Sequence, residues 1–182
     1  MQTKYIINII PKYIFYIYKK HNLIIHFNEK YILELFNFIY KHLNLQLKLF
    51  IDLITIDFYK NKNRFYNVYN LLSVKYNSRI MLKTIINKNE CINSLYSIYK
   101  NCIWYERESF DLFGILYINN PDLRNILTDY GFKGFPFRKD FPLTGFIELY
   151  YDSINKQIKY RPISLIQEFK NFKIISPWNY FI

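Results

Sequence analysis

Apolar residues recur at three- and four-residue steps after Asn28, which predicts an amphipathic helix that packs on a core. The stripe consists of Ile32, Leu35, Phe36, Ile39, Tyr40 and Leu43. Asn28 can cap this helix and Glu29 favours its positive end, so we expect it to run from Glu29 to about His42. The short apolar run 23–27 is typical of a strand, whereas residues 1–22 have no clear period and predict an irregular or partly helical lead-in.

A period of two follows and predicts three strands, at about residues 50–58, 65–76 and 79–86. In the first, Ile54, Ile56 and Phe58 alternate with Thr55 and Asp57. Asn77 and Ser78 form a candidate two-residue hairpin turn, because asparagine tolerates the left-handed conformation. The apolar members expected to share a face are Val68, Leu72 and Val74 on one strand and Ile80, Leu82 and Ile86 on the next.

Helical spacing returns after a polar turn at residues 87–90. Ile92, Leu95, Ile98 and Tyr99 predict a second helix, and a third is expected from Asn101, its N-cap, to Phe113, with Gly114 ending it. The order of elements predicts an α+β fold, an antiparallel sheet with helices packed on one face. A second hairpin is expected where residues 146–151 and 157–161 flank a polar turn.

The chain has 182 residues, which is enough to bury a core without disulfides or metal. We expect a lead-in over residues 1–22, an α+β core over 23–114, and an extended, irregular partner-binding arm over 115–182. No apolar run is long enough for a membrane helix, and the start lacks the features of a signal or transit peptide. The chain is therefore expected to lack a direct membrane span.

Composition narrows the function classes only a little. The net charge is +11, but lysine dominates, alanine is absent, and tyrosine and phenylalanine number 19 and 17, as an AT-biased genome would produce. A basic surface could bind nucleic acid, yet no nucleic-acid motif is present and a solvated surface is favoured. The two cysteines and three histidines make no zinc or iron–sulfur spacing, so we expect no metal site.

Residues 104–145 differ from the rest of the chain. All four glycines and three of the six prolines lie there, which indicates a special backbone path. Arg107 and Asp111 are four apart on the third helix, beside Glu106 and Glu108. Anchoring of loops or a partner through charge-assisted hydrogen bonds is favoured, and a solvated face or acid/base catalysis are the alternatives.

The end of this block alternates phenylalanine with charge, from Phe135 to Phe141. Gly131 and Gly134 fit neither phosphate-binding glycine pattern, and no nucleophile has a histidine near it in sequence. Aromatics on such a path cannot bury themselves, so the segment is expected to lie across its own domain or, as we favour, into a partner.

Several motifs in this block resemble the 30 kDa subunit family, also known as the subunit 9 family, of respiratory complex I, NADH:ubiquinone oxidoreductase. They are Glu106-Arg107-Glu108, Asp111, Phe113-Gly114, Pro121-Asp122-Leu123-Arg124, Leu127 to Phe132, and Phe137 to Gly145, with the tail motifs Gln167 to Phe172 and Ser176-Pro177-Trp178. The resemblance covers about residues 45–178. Asn120 and Phe135 stand where the family usually has histidine.

The resemblance implies a non-catalytic structural subunit of the peripheral arm, with no active site of its own, that docks against the 49 kDa quinone-site subunit. It implies no cofactor on this chain, with FMN, iron–sulfur clusters and ubiquinone in neighbouring subunits. It implies a mitochondrially encoded protein on the matrix side of the inner membrane. The alternative, based on charge and aromatics, is an RNA-binding organellar ribosomal protein. The motif residues expected at a partner interface are Glu106, Arg107, Glu108, Asp111, Phe113, Gly114, Asp122, Arg124, Asp129, Tyr130, Gly131, Arg138, Lys139, Asp140, Pro142 and Gly145.

Overall fold

The computed structural model describes residues 15–19, 22–59, 63–87, 90–174, 176 and 178. Its main sheet has five strands in the order β1-β2-β5-β4-β3. These strands are β1 (Phe15–Lys19), β2 (Asn22–Phe27), β3 (Leu49–Asp57), β4 (Phe65–Ser73) and β5 (Ser78–Ile86).

Two helices lie on one face of this sheet. A 3-10 turn, Glu29–Tyr31, leads into α1 (Ile32–Lys41), and α2 spans Cys102–Phe113. The Asn28 side chain accepts the Lys30 N–H, so the predicted start of this helix is confirmed. Of the predicted stripe, Ile32, Leu35, Phe36 and Ile39 are buried, whereas Leu43 lies past the end of α1 and is 76% exposed. Phe36 of α1 packs edge-on against Tyr69 of β4 at 5.2 Å between ring centroids.

Two short strands complete the first part of the chain. They are β6 (Cys91–Asn93) and β7 (Leu116–Ile118), which pair in parallel beside the main sheet. Tyr99 lies in the core, where its ring contacts Phe36 and Tyr40 of α1 and Phe50 of β3, and its hydroxyl donates to the Leu47 carbonyl at 2.5 Å. The α+β fold class is confirmed, although the sheet is mixed, because β2 runs parallel to β5.

The predicted second helix, residues 92–99, is wrong. Residues 91–93 form β6 instead, and hydrogen-bonded turns follow to residue 101. Ile92, Leu95 and Tyr99 are nevertheless buried, so spacing alone could not separate a helix from a strand followed by turns. Asn101 does not cap α2 with its side chain; its amide donates to the Phe50 carbonyl at 2.8 Å.

The inward faces of two strands also differ from the simplest expectation. In β3 the polar Thr55 and Asp57 are buried, and the alternating apolar set faces outward. A register shift between Phe50 and Asp52 sets this phase. In β4 the residues at odd positions from 65 to 73 face the helices, so Val68 and Leu72 point away from them, whereas Ile80, Leu82 and Ile86 of β5 are buried as expected.

Residues 15–19, placed in the irregular lead-in by the sequence, form β1 in the structure, and residues 1–14 and 20–21 lie outside the described part. The β4–β5 connection contains four residues rather than two, and Asn77 has the expected positive φ of 47°.

The chain divides into two compact units, Met1–Phe141 and Pro142–Ile182. The second contains the predicted hairpin, formed by β8 (Ile147–Asp152) and β9 (Gln157–Pro162). Residues 115–141, assigned to the arm by the sequence, lie in the first unit.

Candidate functional site

Glu106 is the most buried charged residue of α2, with about 1% of its surface exposed. Its carboxylate accepts hydrogen bonds from the Ser94 hydroxyl (2.6 Å), the Leu95 N–H (2.8 Å) and the Asn120 amide (2.7 Å). The Cys102 thiol donates to it as well, at 3.3 Å. A buried carboxylate is tolerated only with such donors. Glu106 therefore joins the turns after β6 to the segment after β7.

Arg107 binds the other side of the same segment. Its guanidinium donates to the carbonyls of Arg124 (3.1 Å) and Asn125 (3.4 Å), and it lies 3.8 Å from the Asp122 carboxylate. The guanidinium also stacks 5.0 Å from the centroid of Trp104. An α2 side chain thus holds backbone carbonyls that no secondary structure satisfies.

Asp111, one turn further along α2, holds the next stretch of the loop. One carboxylate oxygen accepts the N–H groups of Ile126, Leu127 and Thr128 at 2.7–3.1 Å, and the Thr128 hydroxyl donates to the other. Burial acts to raise the pKa of Asp111, but these hydrogen bonds outweigh it and hold that pKa below its usual value. The carboxylate is an anionic cap for a short loop.

A second cluster pins the end of the block to the sheet. Arg64 binds the Asp57 carboxylate through two nitrogens at 2.8 Å each and the Asp140 carboxylate at 2.9 Å. The Lys139 N–H donates to Asp57 at 2.8 Å. The hydrogen bonds from Arg64 hold the pKa of Asp140 below its usual value and, with the Lys139 N–H, do the same for Asp57 against the effect of burial. This clasp joins the end of β3 and the connection before β4 to a segment far away in sequence.

Arg138 fastens the same segment to the end of α2. Its guanidinium donates to the Phe113 carbonyl at 2.5 Å and lies 4.2 Å from the centroid of Phe135. Gly114 ends the helix with φ +74°, and a Cβ there would come within 2.5 Å of Arg138 and 2.6 Å of Phe135. Only glycine leaves room for this crossing.

A closed ring of hydrogen bonds lies beneath α2. Thr55 donates to Asn67 (2.8 Å), Asn67 to Tyr117 (2.8 Å), Tyr117 to Ser109 (2.9 Å), and Ser109 closes the ring to Thr55 at 2.7 Å. The ring joins β3, β4, β7 and α2, and it explains why a polar face of β3 can be buried.

The structure brings together most of the predicted motif residues of the first unit. Other members are exposed: Glu108, Arg124, Asp129, Tyr130, Gly131 and Lys139. Asp122 and Arg124 form their own ion pair at 2.6 Å. Pro142 and Gly145 lie in the second unit, where the Gly145 N–H donates to the Pro142 carbonyl at 3.0 Å.

Sequence reasoning missed Asp57, Arg64 and the role of Asn120. Asp57 carried a signal, because a carboxylate in an otherwise apolar strand needs a cation if it is buried. Arg64 lies in the connection before β4, and nothing near it in sequence marks it. Asn120 donates to Glu106 and accepts the Asp122 N–H at 3.0 Å, so it links α2 to the turn at residues 120–122.

The buried carboxylates of this cluster each accept several hydrogen bonds from protein donors. The described residues form an open pocket of about 420 Å³ between β2 and the loop after β5, and no motif residue lines it. Within the described ranges, no group of three or more histidine, cysteine or carboxylate side chains could hold a metal ion. No helix among them is long and apolar enough to cross a membrane.

An α+β core that pins a non-repeating segment with buried charges, and leaves many aromatics exposed, is typical of a subunit of a larger assembly. The family described as the 30 kDa subunit of respiratory-chain NADH dehydrogenase matches residues 25–147, and the chain belongs to this family. The prediction that the chain is part of complex I is thereby confirmed, and the relatives give no support to the RNA-binding alternative.

Two relatives show how far the similarity extends. The chain is 45% identical over 174 residues to NADH-ubiquinone oxidoreductase subunit 9 of Reclinomonas americana, covering 95% of this chain and 85% of that protein. It is 46% identical over 151 residues to NADH dehydrogenase [ubiquinone] iron-sulfur protein 3 of Beta trigyna, covering 83% and 79%.

Solved structures support the fold. A chain of the membrane-bound sulfane sulfur reductase, an archaeal respiratory membrane complex, matches with a TM-score of 0.69 at 22% identity, over 79% of this chain and 87% of that one. A trypsin-resistant fragment of Nqo5 matches with a TM-score of 0.53 at 22% identity, over 59% and 89%.

Proposed function

We propose that this chain is a non-catalytic structural subunit that docks against the 49 kDa subunit, where it holds the quinone-binding part of the peripheral arm rigid. The buried charges of α2 carry this proposal. Glu106, Arg107 and Asp111 bind loop backbone and neighbouring side chains, and none of them lines the pocket between β2 and the loop after β5. Catalytic carboxylates need access to a substrate, whereas these are fully occupied.

The second unit supplies a surface suited to docking. On one face of its hairpin, Ile147 pairs with Pro162, Leu149 with Tyr160, and Tyr151 with Ile158, and all six are exposed. An isolated two-stranded hairpin is marginally stable in water, so this face needs cover. We infer that this face is covered by a neighbouring subunit, with an interface above ~2,000 Å² as obligate subunits have.

The opposite face of the hairpin is neutral and internally paired. Arg161 binds Glu148 and Lys159 binds Asp152, each at 2.5 Å, so two cations cancel two carboxylates. Such a face has no net attraction for an anionic membrane surface. This favours a protein partner for the hairpin.

The remaining parts of the proposal rest on family membership. We infer that FMN, iron–sulfur clusters and ubiquinone belong to neighbouring subunits, and that this chain binds none of them. We infer a working place on the matrix side of the mitochondrial inner membrane.

The experiment compares Asp140→Ala with Lys139→Ala in the assembled complex. Asp140→Ala removes a side chain from the clasp, whereas Lys139→Ala keeps the backbone N–H that binds Asp57. We expect Asp140→Ala to lower the amount of this subunit that co-migrates with NADH dehydrogenase on a native gradient, and Lys139→Ala to leave it unchanged. The cluster potentials of the complex that does assemble should not move.

The contrary result is equally clear. Full assembly of the Asp140→Ala complex together with a shifted cluster potential or a lost chemical step would show a direct part in electron transfer and would overturn the structural role.

A further inference from the structure

The main sheet has a second face, turned away from both helices. The outward residues of β3 are apolar, with Ile54 45% and Ile56 38% exposed, and Phe58, just after the strand, is 42% exposed. The outward side chains of the neighbouring strands are partly buried; the apolar ones are Ile24, Tyr66, Val68, Leu72, Met81 and Ile85. We call this set the outer face.

A sheet with one apolar face packed on helices normally turns polar residues to water on the other. Here Ile54 pairs with Val68, and Ile56 pairs with Tyr66, so apolar rows cross from strand to strand. No helix of the described ranges lies over these rows. A contiguous apolar patch of this kind marks an interaction surface.

One cation stands within this surface. The Lys83 ammonium lies 4.3 Å from the centroid of Tyr66 and 5.9 Å from that of Phe58. It forms no ion pair with a carboxylate of the described residues. Its neighbour across the β2–β5 pair is His26, a side chain that carries no negative charge.

The other charges of the outer face also leave Lys83 unmatched. Arg79 adds a second cation beside Leu72. Among the outward-facing positions of the described main-sheet strands, the single carboxylate is Asp52. It pairs with Asn70 in the next outward-facing row and accepts the Leu53 N–H at 2.8 Å. The outer face is thus apolar with a positive centre.

We propose that the outer face docks an amphipathic segment of another subunit of the same assembly, which sets a carboxylate on Lys83 among apolar side chains. The aromatic rings hold the ammonium in place, so an incoming carboxylate meets an ordered partner. A second copy of this chain fits poorly, because a two-fold contact would bring Lys83 and Arg79 of both copies together. The outer face shares no residue with the hairpin or the clasp.

The first test is a cysteine footprint of Ile56→Cys. The native Cys91 is exposed and serves as an internal reference, whereas Cys102 is buried. A soluble maleimide should label position 56 in the purified full chain, and this labelling should be lost in the assembled NADH dehydrogenase. Equal labelling in both states would overturn the proposal. Protection that grows with the concentration of the isolated chain would overturn it in favour of self-association.

The second test changes the charge of Lys83. Lys83→Glu should weaken incorporation into the complex about 30-fold in competition with the native chain, which is ~2 kcal/mol at ~1.4 kcal/mol per tenfold change. Lys83→Arg keeps the charge and should compete within about twofold, on the order of 0.4 kcal/mol. Unchanged competition by Lys83→Glu, with circular dichroism showing native folding, would refute the carboxylate contact.

Failure here and failure of the proposed function are distinguishable. If position 56 is still labelled in the assembled complex, the outer-face proposal fails, but the expected effect of Asp140→Ala on assembly is not affected. Conversely, a shifted cluster potential in the Asp140→Ala complex would overturn the structural role, but it would not change the labelling expected at position 56.

Discussion

Replacing Asp111 with asparagine is the sharpest test of the idea that α2 holds its loop by buried charge. The substitution keeps the size of the side chain and one acceptor oxygen. It removes the negative charge that three N–H groups and one hydroxyl share. The loop then keeps only neutral hydrogen bonds.

The expected cost follows from this geometry. Hydrogen bonds to a charged group contribute about 1.5–3 kcal/mol each, against about 0.5–1.5 kcal/mol for neutral ones. Three N–H donors would each lose about 1 kcal/mol, and water that reaches the partly exposed loop offsets some of this. We expect Asp111→Asn to lower the free energy of unfolding by about 2–3 kcal/mol.

Urea unfolding of the full chain, followed by circular dichroism, measures this cost. With a slope of about 2 kcal/mol per molar, the midpoint should fall by about 1–1.5 M. Glu108→Gln is the matched control, because it removes the same charge from the same helix at an exposed position. It should change stability by no more than about 0.5 kcal/mol.

The difference between native and variant should depend on pH. The pKa of Asp111 is lower in the folded chain than its usual value near ~3.9, so its ionised form stabilises the fold above that value. This stabilisation is lost as pH falls through the folded pKa. A cost below ~0.5 kcal/mol at pH ~7, or a cost that stays constant down to pH ~3, would refute the reasoning.

Two further predictions concern the crossing at the helix end and the hydrogen-bond ring. Gly114→Ala should lower the free energy of unfolding, measured in urea, by at least about 1 kcal/mol more than Gly131→Ala. Both glycines have φ near +74°, but only Gly114 of the two has atoms within 2.7 Å of the added Cβ. Equal costs would contradict the close contact with Arg138. Tyr117→Phe opens the hydrogen-bond ring and should cost about 1–3 kcal/mol of stability, which lowers Tm by roughly 3–8 °C. Tyr151→Phe changes an exposed tyrosine and should leave Tm unchanged. The same Tm for both variants would show that the ring adds no stability.

The sequence predicted elements well where local signals agreed. Asn28 and the apolar stripe located α1, and Gly114 located the end of α2, because capping and periodicity depend on neighbours in the chain. The second hairpin was equally local, since Asp152 accepts the N–H groups of Ile154 and Asn155 within its own turn. Local chemistry was sufficient for these elements.

The same reasoning failed where burial depended on distant partners. Thr55 and Asp57 face inward because Asn67, Ser109 and Arg64 satisfy them. A prediction from apolar alternation alone places Ile54 on the inward face, because it considers hydrophobicity and not hydrogen bonding. The reversed face of β3 is therefore a product of tertiary contacts.

The candidate site was predicted in part for a related reason. The charges of α2 stood out because they are crowded, and the favoured interpretation was that they anchor loops or a partner. Their partners did not stand out, since Asp140 meets Arg64 across 76 positions and Lys139 meets Asp57 across 82. No spacing rule links residues that far apart.

The parallel pairing of β2 with β5 has a consequence for the order of events during synthesis. The strand that contains Leu23 leaves the ribosome early, yet its partner Ile80 is made much later. The β1–β2 hairpin therefore cannot pair with β5 until β5 has been synthesised. By then β3, β4 and β5 can form an antiparallel meander, because each pairs with the next strand in sequence. During that interval the free edge of β5 offers unpaired backbone groups to any passing strand. Early arrival of a chaperone or an assembly partner at this edge would protect the nascent chain from aggregation.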